Sequence, residues 1–184
     1  MQFLKSIQDQ LEAKYGVSTG LDIRKFIQLK KDHPELGSLL IHQHNDDIDL
    51  TVLLDRDIFE AWNCSARAVS VPCEEISHFV YLGYNHQRGR NITRLEMEIQ
   101  SEVDRVLLAF HGNLDVSKEH QNLLYNEVLN SSYKKTHYEE SRIIARNFLT
   151  KLKHPQTWSE LEHAKLRKFF HSDLSEKLYL TYKT

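Results

Sequence analysis

Apolar residues near the start of the chain recur at the three- and four-residue spacing of an amphipathic helix. They are Phe3, Leu4, Ile7, Leu11 and Tyr15. Gly16 follows directly and is a natural helix end. We interpret the segment from Leu21 to Leu29 as a second short helix. It ends before Pro34, because proline disfavours helical geometry in the residue that precedes it.

Between residues 38 and 54 the pattern changes to that of two strands. An apolar run over 38–43 is followed by an alternation with a period of two, formed by Ile48, Leu50, Val52 and Leu54. The intervening residues 45–47, Asn-Asp-Asp, are of types that favour turns. The sequence therefore predicts one β-hairpin, and a short helix capped by residues 55–57 follows it.

Beyond Pro72 the pattern is helical to the end of the chain. We expect Pro72 at the first position of a helix. Thr93 opens a capping box for a long helix that Gly112 ends, and the apolar stripe of this helix indicates a central position. Further helices are predicted over about 118–129, behind a capping box at 136–139, from a capping box at 157–160 to residue 170, and over 174–182.

These elements predict a predominantly helical α+β fold. A small N-terminal unit with one β-hairpin precedes a bundle of four or more α-helices. We place the two units at residues 1–66 and 67–184, or in one continuous domain. The length of 184 residues and the hydrophobic content of 40% suffice for a substantial core. Only six glycines and three prolines occur, which argues against β-barrels and glycine-rich phosphate loops.

Charge is unevenly distributed along the chain. Residues 1–133 hold 13 Lys and Arg against 20 Asp and Glu, whereas residues 134–184 hold 11 against 6. The net charges of the two parts are therefore −7 and +5. Such asymmetry indicates either a basic contact surface or pairing between the two parts of one molecule. We favour pairing within the molecule.

The chain contains two cysteines, Cys64 and Cys73, which are too few for a disulfide scaffold. We therefore expect reduced thiols and a cytoplasmic location. The first residues lack the apolar core of a signal peptide, and no run of about 18 apolar residues predicts a membrane span. Cys73 lies at the predicted helix start, where the helix dipole can lower a thiol pKa and create a nucleophile. Simple burial is the interpretation that we favour for it.

His42 and His44 lie two residues apart in the first predicted strand and therefore on one face. Together with Asp46 they resemble most of the H-x-H-x-D-H pattern of the metallo-β-lactamase-like hydrolases. However, Asp47 stands in place of the final histidine, and a strand follows where that family begins a helix. We interpret the segment as polar residues on the open face of the hairpin.

Two E-x-x-H motifs offer a more specific chemistry, and they run from Glu75 to His78 and from Glu160 to His163. On a helix this spacing places a carboxylate and an imidazole on one side, where both can bind one metal. The motifs resemble those of the ferritin-like di-iron bundles, although their order along the chain differs. The resemblance implies an iron or manganese centre.

The candidate metal ligands are Glu75, His78, Glu102 and His163. Glu102 lies at the edge of the apolar stripe of its helix. Glu98 lies farther from that stripe, so we expect it to meet solvent or to pair with Arg105. The alternative interpretation is that these acids cap helices and cover the surface, and it is the one that we favour.

Basic residues of the C-terminal part form a candidate contact surface, consisting of Arg142, Arg146, Lys165, Arg167 and Lys168. No nucleophile elbow, Walker loop, dinucleotide fingerprint or C-x-x-C motif occurs. We therefore predict a non-enzymatic accessory or regulatory protein that binds a macromolecular partner, without catalytic residues or a cofactor. A protein partner is the first expectation. The alternatives are a metal-dependent helical-bundle enzyme and nucleic-acid binding through the basic helices. Nothing in the sequence indicates the oligomeric state.

Overall fold

The structure is a computed structural model that describes residues 1–44, 47–61, 65–112, 114, 116–130 and 139–183. Within these ranges the chain forms eight α-helices and three β-strands. The helices are α1 (Gln2–Tyr15), α2 (Arg56–Glu60), α3 (Ala66–His86), α4 (Arg94–His111), α5 (Lys118–Asn130), α6 (Glu139–Leu149), α7 (Glu160–His171) and α8 (Leu174–Tyr182). The strands are β1 (Ile27–Lys30), β2 (Gly37–His44) and β3 (Asp47–Asp55). The predominantly helical α+β fold is thus confirmed.

The sheet has the strand order β1-β3-β2, with β3 in the centre. Strands β2 and β3 are antiparallel and form the predicted hairpin, in which Leu40 lies opposite Thr51. Strand β1 runs parallel to β3, with Ile27 opposite Val52. Strands β1 and β2 therefore form the two edges of the sheet.

The prediction of a helix over Leu21–Leu29 is wrong. Residues Ile23–Lys25 form a 3-10 turn, which Asp22 caps by accepting a hydrogen bond from the backbone of Arg24. The chain then enters β1, where half-buried and exposed residues alternate with the period of two that a strand requires. Pairing with β3 outweighs the weak helical preference of this short segment.

Helix α3 begins at Ala66, and Ser65 caps it by accepting a hydrogen bond from the backbone of Ala68. Pro72 therefore lies inside the helix and not at its first position, which corrects the prediction. Cys73 consequently has no place at a helix start. It is buried, and burial raises the pKa of its thiol to about 12, so the thiol is protonated at neutral pH and is a poor nucleophile.

The C-terminal helices agree closely with their predicted positions. The capping box at Thr93 and Glu96 is present at the start of α4. Helix α8 has the predicted bounds, and Asp173 caps it. The capping box of α7 is formed by Ser159 and Glu162, two residues later than predicted, because a 3-10 turn occupies Pro155–Thr157. Most of the box predicted at 136–139 lies outside the described residues.

Helices α3 and α4 pack against each other and form the centre of the molecule. Helix α3 also contacts α1, α2, α5 and both strands of the hairpin, while α4 contacts α1, α5 and α6. One hydrophobic cluster includes residues of all these helices and of β3. The division at residue 66 stays a prediction. No helix in the described ranges has the length and apolar character that crossing a membrane requires.

A buried polar network connects α1, α3, α4 and α8. The carboxylate of Asp104 accepts hydrogen bonds from Tyr15, from Ser77 at 2.6 Å and from Gln100 at 2.8 Å. The ammonium of Lys177 donates to the side chain of Gln100 at 2.8 Å. Burial raises the pKa of Asp104 to about 6 and lowers the pKa of Lys177 to about 7.

The substitution Lys177→Met should remove a pH-dependent contribution to stability. Folding lowers the pKa of Lys177 from its ordinary value of 10.5 to about 7. Above pH 7 the folded protein therefore holds fewer protons at this site than the unfolded chain, so the free energy of unfolding rises with pH. The slope is at most about 1.4 kcal/mol per pH unit. His78, whose pKa is raised, acts in the opposite direction in this range.

The informative quantity is thus the difference in unfolding free energy between wild type and variant, measured by chemical denaturation from about pH 7.5 to about pH 9. We expect wild type to gain stability relative to Lys177→Met as the pH rises. Lys165 is exposed on α7, and the control Lys165→Met should give a constant difference. A constant difference for Lys177→Met as well would contradict the lowered pKa.

Candidate functional site

A second polar cluster lies where α3 and α4 meet, next to strand β2. Helix α3 contributes Glu74 and His78, which are four residues apart and share one face. Helix α4 contributes Glu98, Glu102 and Arg105, which also share a face. His78 and these three residues of α4 are between 4% and 7% exposed, so their side chains are largely shielded from water.

The imidazole of His78 lies between two carboxylates. Its Nδ1 is 3.7 Å from Oε2 of Glu75, and its Nε2 is 3.4 Å from Oε2 of Glu98. Burial alone would lower the pKa of His78, but the negative charges of Glu75 and Glu98 beside the ring outweigh burial and raise it to about 10. Without a bound cation, the imidazole is therefore positively charged at neutral pH.

Hydrogen bonding in this cluster is incomplete. Within the described part of the chain, Nε2 of His78 and Oε2 of Glu75 are buried and have no hydrogen-bond partner. The 3.4 Å separation from Glu98 allows Coulomb attraction, but the atoms are not oriented as a hydrogen bond. Buried polar atoms are almost always paired, so these two unpaired atoms indicate a missing partner.

Glu74, His78 and Glu98 can together hold a cation. Each offers one ligand atom, and the three atoms lie within 4.8 Å of one another. Ligands on opposite sides of one ion, with bonds of about 2.1 Å, are separated by about 4 Å, so small side-chain movements would close the site. Two carboxylates and one imidazole suit Mn²⁺, Fe²⁺ or Zn²⁺ better than thiophilic ions.

Arginines balance the acids of the cluster. Arg94 lies 3.4 Å from Glu98, and Arg105 donates a hydrogen bond of 3.3 Å to Glu74. Glu102 accepts a hydrogen bond of 2.9 Å from Nε of Arg142 and lies 3.5 Å from Arg105. The arginines thus offset part of the cost of burying these carboxylates, although burial still raises the pKa of Glu74.

A cavity of about 750 Å³ opens beside the cluster, between strand β2 and helices α3 and α4. Its polar side is lined by Glu74, Glu75, His78 and Glu98, and its apolar side includes Leu39, Leu53, Ile92 and Met97. Gly37 lets β2 pass this closely, because a Cβ atom there would lie 2.6 Å from Val71 and 2.9 Å from Glu75. The volume of this cavity is in the range of small-molecule sites, although its lining is richer in charged groups than is usual for them.

The structure brings together two of the four candidate ligands, Glu75 and His78, which are in contact. Glu102 pairs with arginines and not with the imidazole. His163 lies on α7, where its ring packs edge-on against the ring of His111 at 4.9 Å and near that of Trp158. The expectation that Glu98 meets solvent or pairs with Arg105 is wrong, since Glu98 is 7% exposed and faces His78.

Glu74 and Glu98 were absent from the sequence-based ligand set. The signal for Glu74 is its i,i+4 spacing to His78, which runs beside the i,i+3 spacing of Glu75. Glu98 has no comparable signal, because an apolar stripe marks only one face of α4. Helix α4 is buried on other faces too, by contacts that the spacing along its own sequence does not reveal.

The predicted basic surface is only partly exposed. Lys165 and Lys168 are exposed, whereas Arg146 and Arg167 are half-buried. Arg142 points to Glu102 at the central cluster. The use of these residues for partner binding stays a prediction. In the hairpin, His42 is exposed and lies opposite Asp49, while the side chains of His44 and Asp46 lie outside the described residues.

Comparisons with protein families, with characterised proteins and with solved structures found no match to this chain. No residue role is therefore carried over from another protein. The functional evidence consists of the cluster on α3 and α4 and of the cavity beside it.

The substitution Arg142→Ala should destabilise the protein by about 2 kcal/mol, because it leaves the buried carboxylate of Glu102 with Arg105 alone. Chemical denaturation measures the change. The control Arg146→Ala changes a half-buried arginine on the same helix, and it should cost less than about 1 kcal/mol. Equal effects of the two substitutions would show that Arg142 has no special role at the cluster.

Proposed function

We propose that the protein is a metal-dependent enzyme that binds one divalent ion through Glu74, His78 and Glu98 and acts on a small molecule in the adjacent cavity. The observation that carries this proposal is the buried, unpaired Nε2 of His78, which faces Glu98 in a group of three ligand atoms. An acidic cluster on a solvated surface would not leave such an atom without a partner.

The competing interpretation is a purely structural ion-pair network. Taking charges out of water costs several kcal/mol per ion, and good geometry with full hydrogen bonding is needed to offset that cost. Here the imidazole and Glu75 each leave one buried atom unpaired. A cation between His78 and the acids would satisfy Nε2, so this arrangement favours a binding site.

The residues fit such a metal in both the inner and the outer shell. Oε2 of Glu75 lies 3.7 Å from Nδ1 of His78, on the side of the ring where outer carboxylates of metal-binding histidines stand. A small side-chain movement would bring the two atoms to hydrogen-bonding distance and hold the ring with Nε2 toward Glu98. Because the free imidazole is protonated, metal binding requires the loss of its proton.

Three protein ligands leave coordination positions open, as in catalytic metal sites. When bound, a divalent ion acts as a Lewis acid that polarises an oxygen of the substrate or lowers the pKa of a bound water. The chain itself supplies the ligands, the carboxylate beside the ring of His78 and the apolar wall of the cavity.

The sequence-based hypothesis of a cytoplasmic accessory protein with a macromolecular partner stays a separate prediction. No specific contact in the described part of the structure favours it over the metal site. Arg142, one of its contact residues, is directed to the central cluster.

Metal titration of the purified protein tests the proposal. We expect wild type to bind one Mn²⁺ or Zn²⁺ per chain in isothermal titration calorimetry. Glu98→Gln removes a ligand and should weaken binding by more than about 100-fold. Glu75→Gln removes the negative charge beside Nδ1 of the ring and should weaken binding by about 10- to 100-fold. Circular dichroism and melting curves check that each variant folds.

His163→Gln is the matched control, because it changes the second histidine of an E-x-x-H motif, on α7 beside His111. It should bind the ion as wild type does. Wild-type protein that binds no divalent ion overturns the proposal, and so does an equal loss of binding in His163→Gln and Glu98→Gln. Two ions per chain would contradict the proposed single-ion site.

A further inference from the structure

A second cavity, of about 570 Å³, lies next to the first one. The two share Glu35, Gly37, Glu74 and Glu75 as lining residues, so Glu74 separates the candidate metal site from the second cavity. The second cavity is also lined by three arginines, Arg67, Arg105 and Arg142, and we call it the arginine pocket.

Arg105 has unused hydrogen-bond donors in this pocket. Its side chain is 4% exposed, and its Nη1 donates to Glu74 at 3.3 Å. Within the described part of the chain, its Nε and Nη2 have no hydrogen-bond partner. These two nitrogens form one edge of the guanidinium, and this edge binds both oxygens of a carboxylate or phosphate side-on.

The neighbouring acids do not satisfy this edge. Oε1 of Glu102 accepts a hydrogen bond from Arg142, and its Oε2 stays 3.5 Å from Nη2 of Arg105 without a hydrogen bond. Glu127 is 3.9 Å from Nη2 and is 41% exposed, which makes the pair a weak one. An acceptor from outside the chain would satisfy both donors of the buried guanidinium at once, which Glu102 does not do at its present distance.

We propose that the arginine pocket binds an oxyanion group of the substrate, while another part of the substrate reaches the ion at Glu74, His78 and Glu98. The substrate class is thus a small carboxylate or phosphate compound. Arg105 holds the oxyanion through Nε and Nη2, and Arg67 and Arg142 add positive charge from α3 and α6. This inference rests on the proposed metal site, because the metal gives the bound anion a reacting partner.

Glu74 couples the two sites. Four acids line the arginine pocket against three arginines, namely Glu35, Glu74, Glu75 and Glu127. A divalent ion held by Glu74 makes the surroundings more positive, so the oxyanion should bind more tightly once the metal is present. By linkage, the anion must raise the affinity for the metal by the same factor.

Calorimetric titration with two simple anions tests the inference, at constant ionic strength and with sodium chloride as the reference. Sodium sulfate represents a tetrahedral phosphate-like group, and sodium acetate represents a carboxylate. We expect one of them to bind at one site per chain, and at least threefold more tightly with Mn²⁺ present than without it. The anion that binds identifies the class of oxyanion.

Two variants locate the anion. Arg105→Lys keeps the positive charge but loses the pair of donors, Nε and Nη2, that binds an oxyanion in a bidentate manner. Arg67→Gln removes an exposed positive charge from the pocket. Each should weaken anion binding by at least tenfold and leave metal stoichiometry at one. If Arg105→Lys fails to fold, the effect of Arg67→Gln alone shows whether the anion binds in the arginine pocket. Arg56→Gln on α2 is the control, because Arg56 is an exposed arginine that lines neither cavity, and it should bind as wild type does.

The outcomes separate the two proposals. Metal binding without any anion binding overturns the oxyanion inference and leaves the metal site standing. Anion binding that neither Arg67→Gln nor Arg105→Lys weakens also overturns it. Anion binding through these arginines in a protein that takes up no metal overturns the proposed enzyme and, with it, the coupling through Glu74.

Discussion

The contact between α3 and α4 is the constraint on which the rest of the structure depends. Both helices are covered on most sides, by α1, α5, α6 and the hairpin. Polar side chains at their contact are therefore removed from water and must find partners inside the protein. Two of the polar clusters in the described part of the structure, the network around Asp104 and the cluster around His78, arise from this requirement.

The two clusters meet the requirement in different ways, although neighbouring residues build them. Ser77 and Asp104 belong to a closed network, in which each carboxylate oxygen of Asp104 accepts a hydrogen bond. His78 and Arg105, the next residues along the same two helices, keep one and two buried nitrogens, respectively, without a hydrogen bond. A satisfied network specifies the fold. Unsatisfied buried groups cost stability, and it is this cost that motivates the proposed ligand site.

Sequence patterns predict those elements whose structure is determined by contacts between residues close together in the chain. The bounds of α8 and the capping box at Thr93 follow from such patterns, and so does the antiparallel pairing of β2 with β3. Strand β1 depends on parallel pairing with a strand more than twenty residues away, so its own sequence indicates a helix. The prediction for Glu98 is wrong for a related reason. An apolar stripe identifies one buried face of a helix. A second buried face that carries polar residues is covered by distant segments of the chain, which the stripe does not reveal.

The charge asymmetry of the sequence has a structural counterpart at the centre of the molecule. Arg142 and Lys177 belong to the basic C-terminal part, and both reach polar groups of α4 in the acidic part. Arg142 pairs with Glu102, while Lys177 reaches Gln100 in the network around Asp104. Some of the basic residues thus act within the molecule. The candidate site is consequently complete only when α6 has docked, because Arg142 is both a wall of the arginine pocket and the partner of a carboxylate beside Arg105.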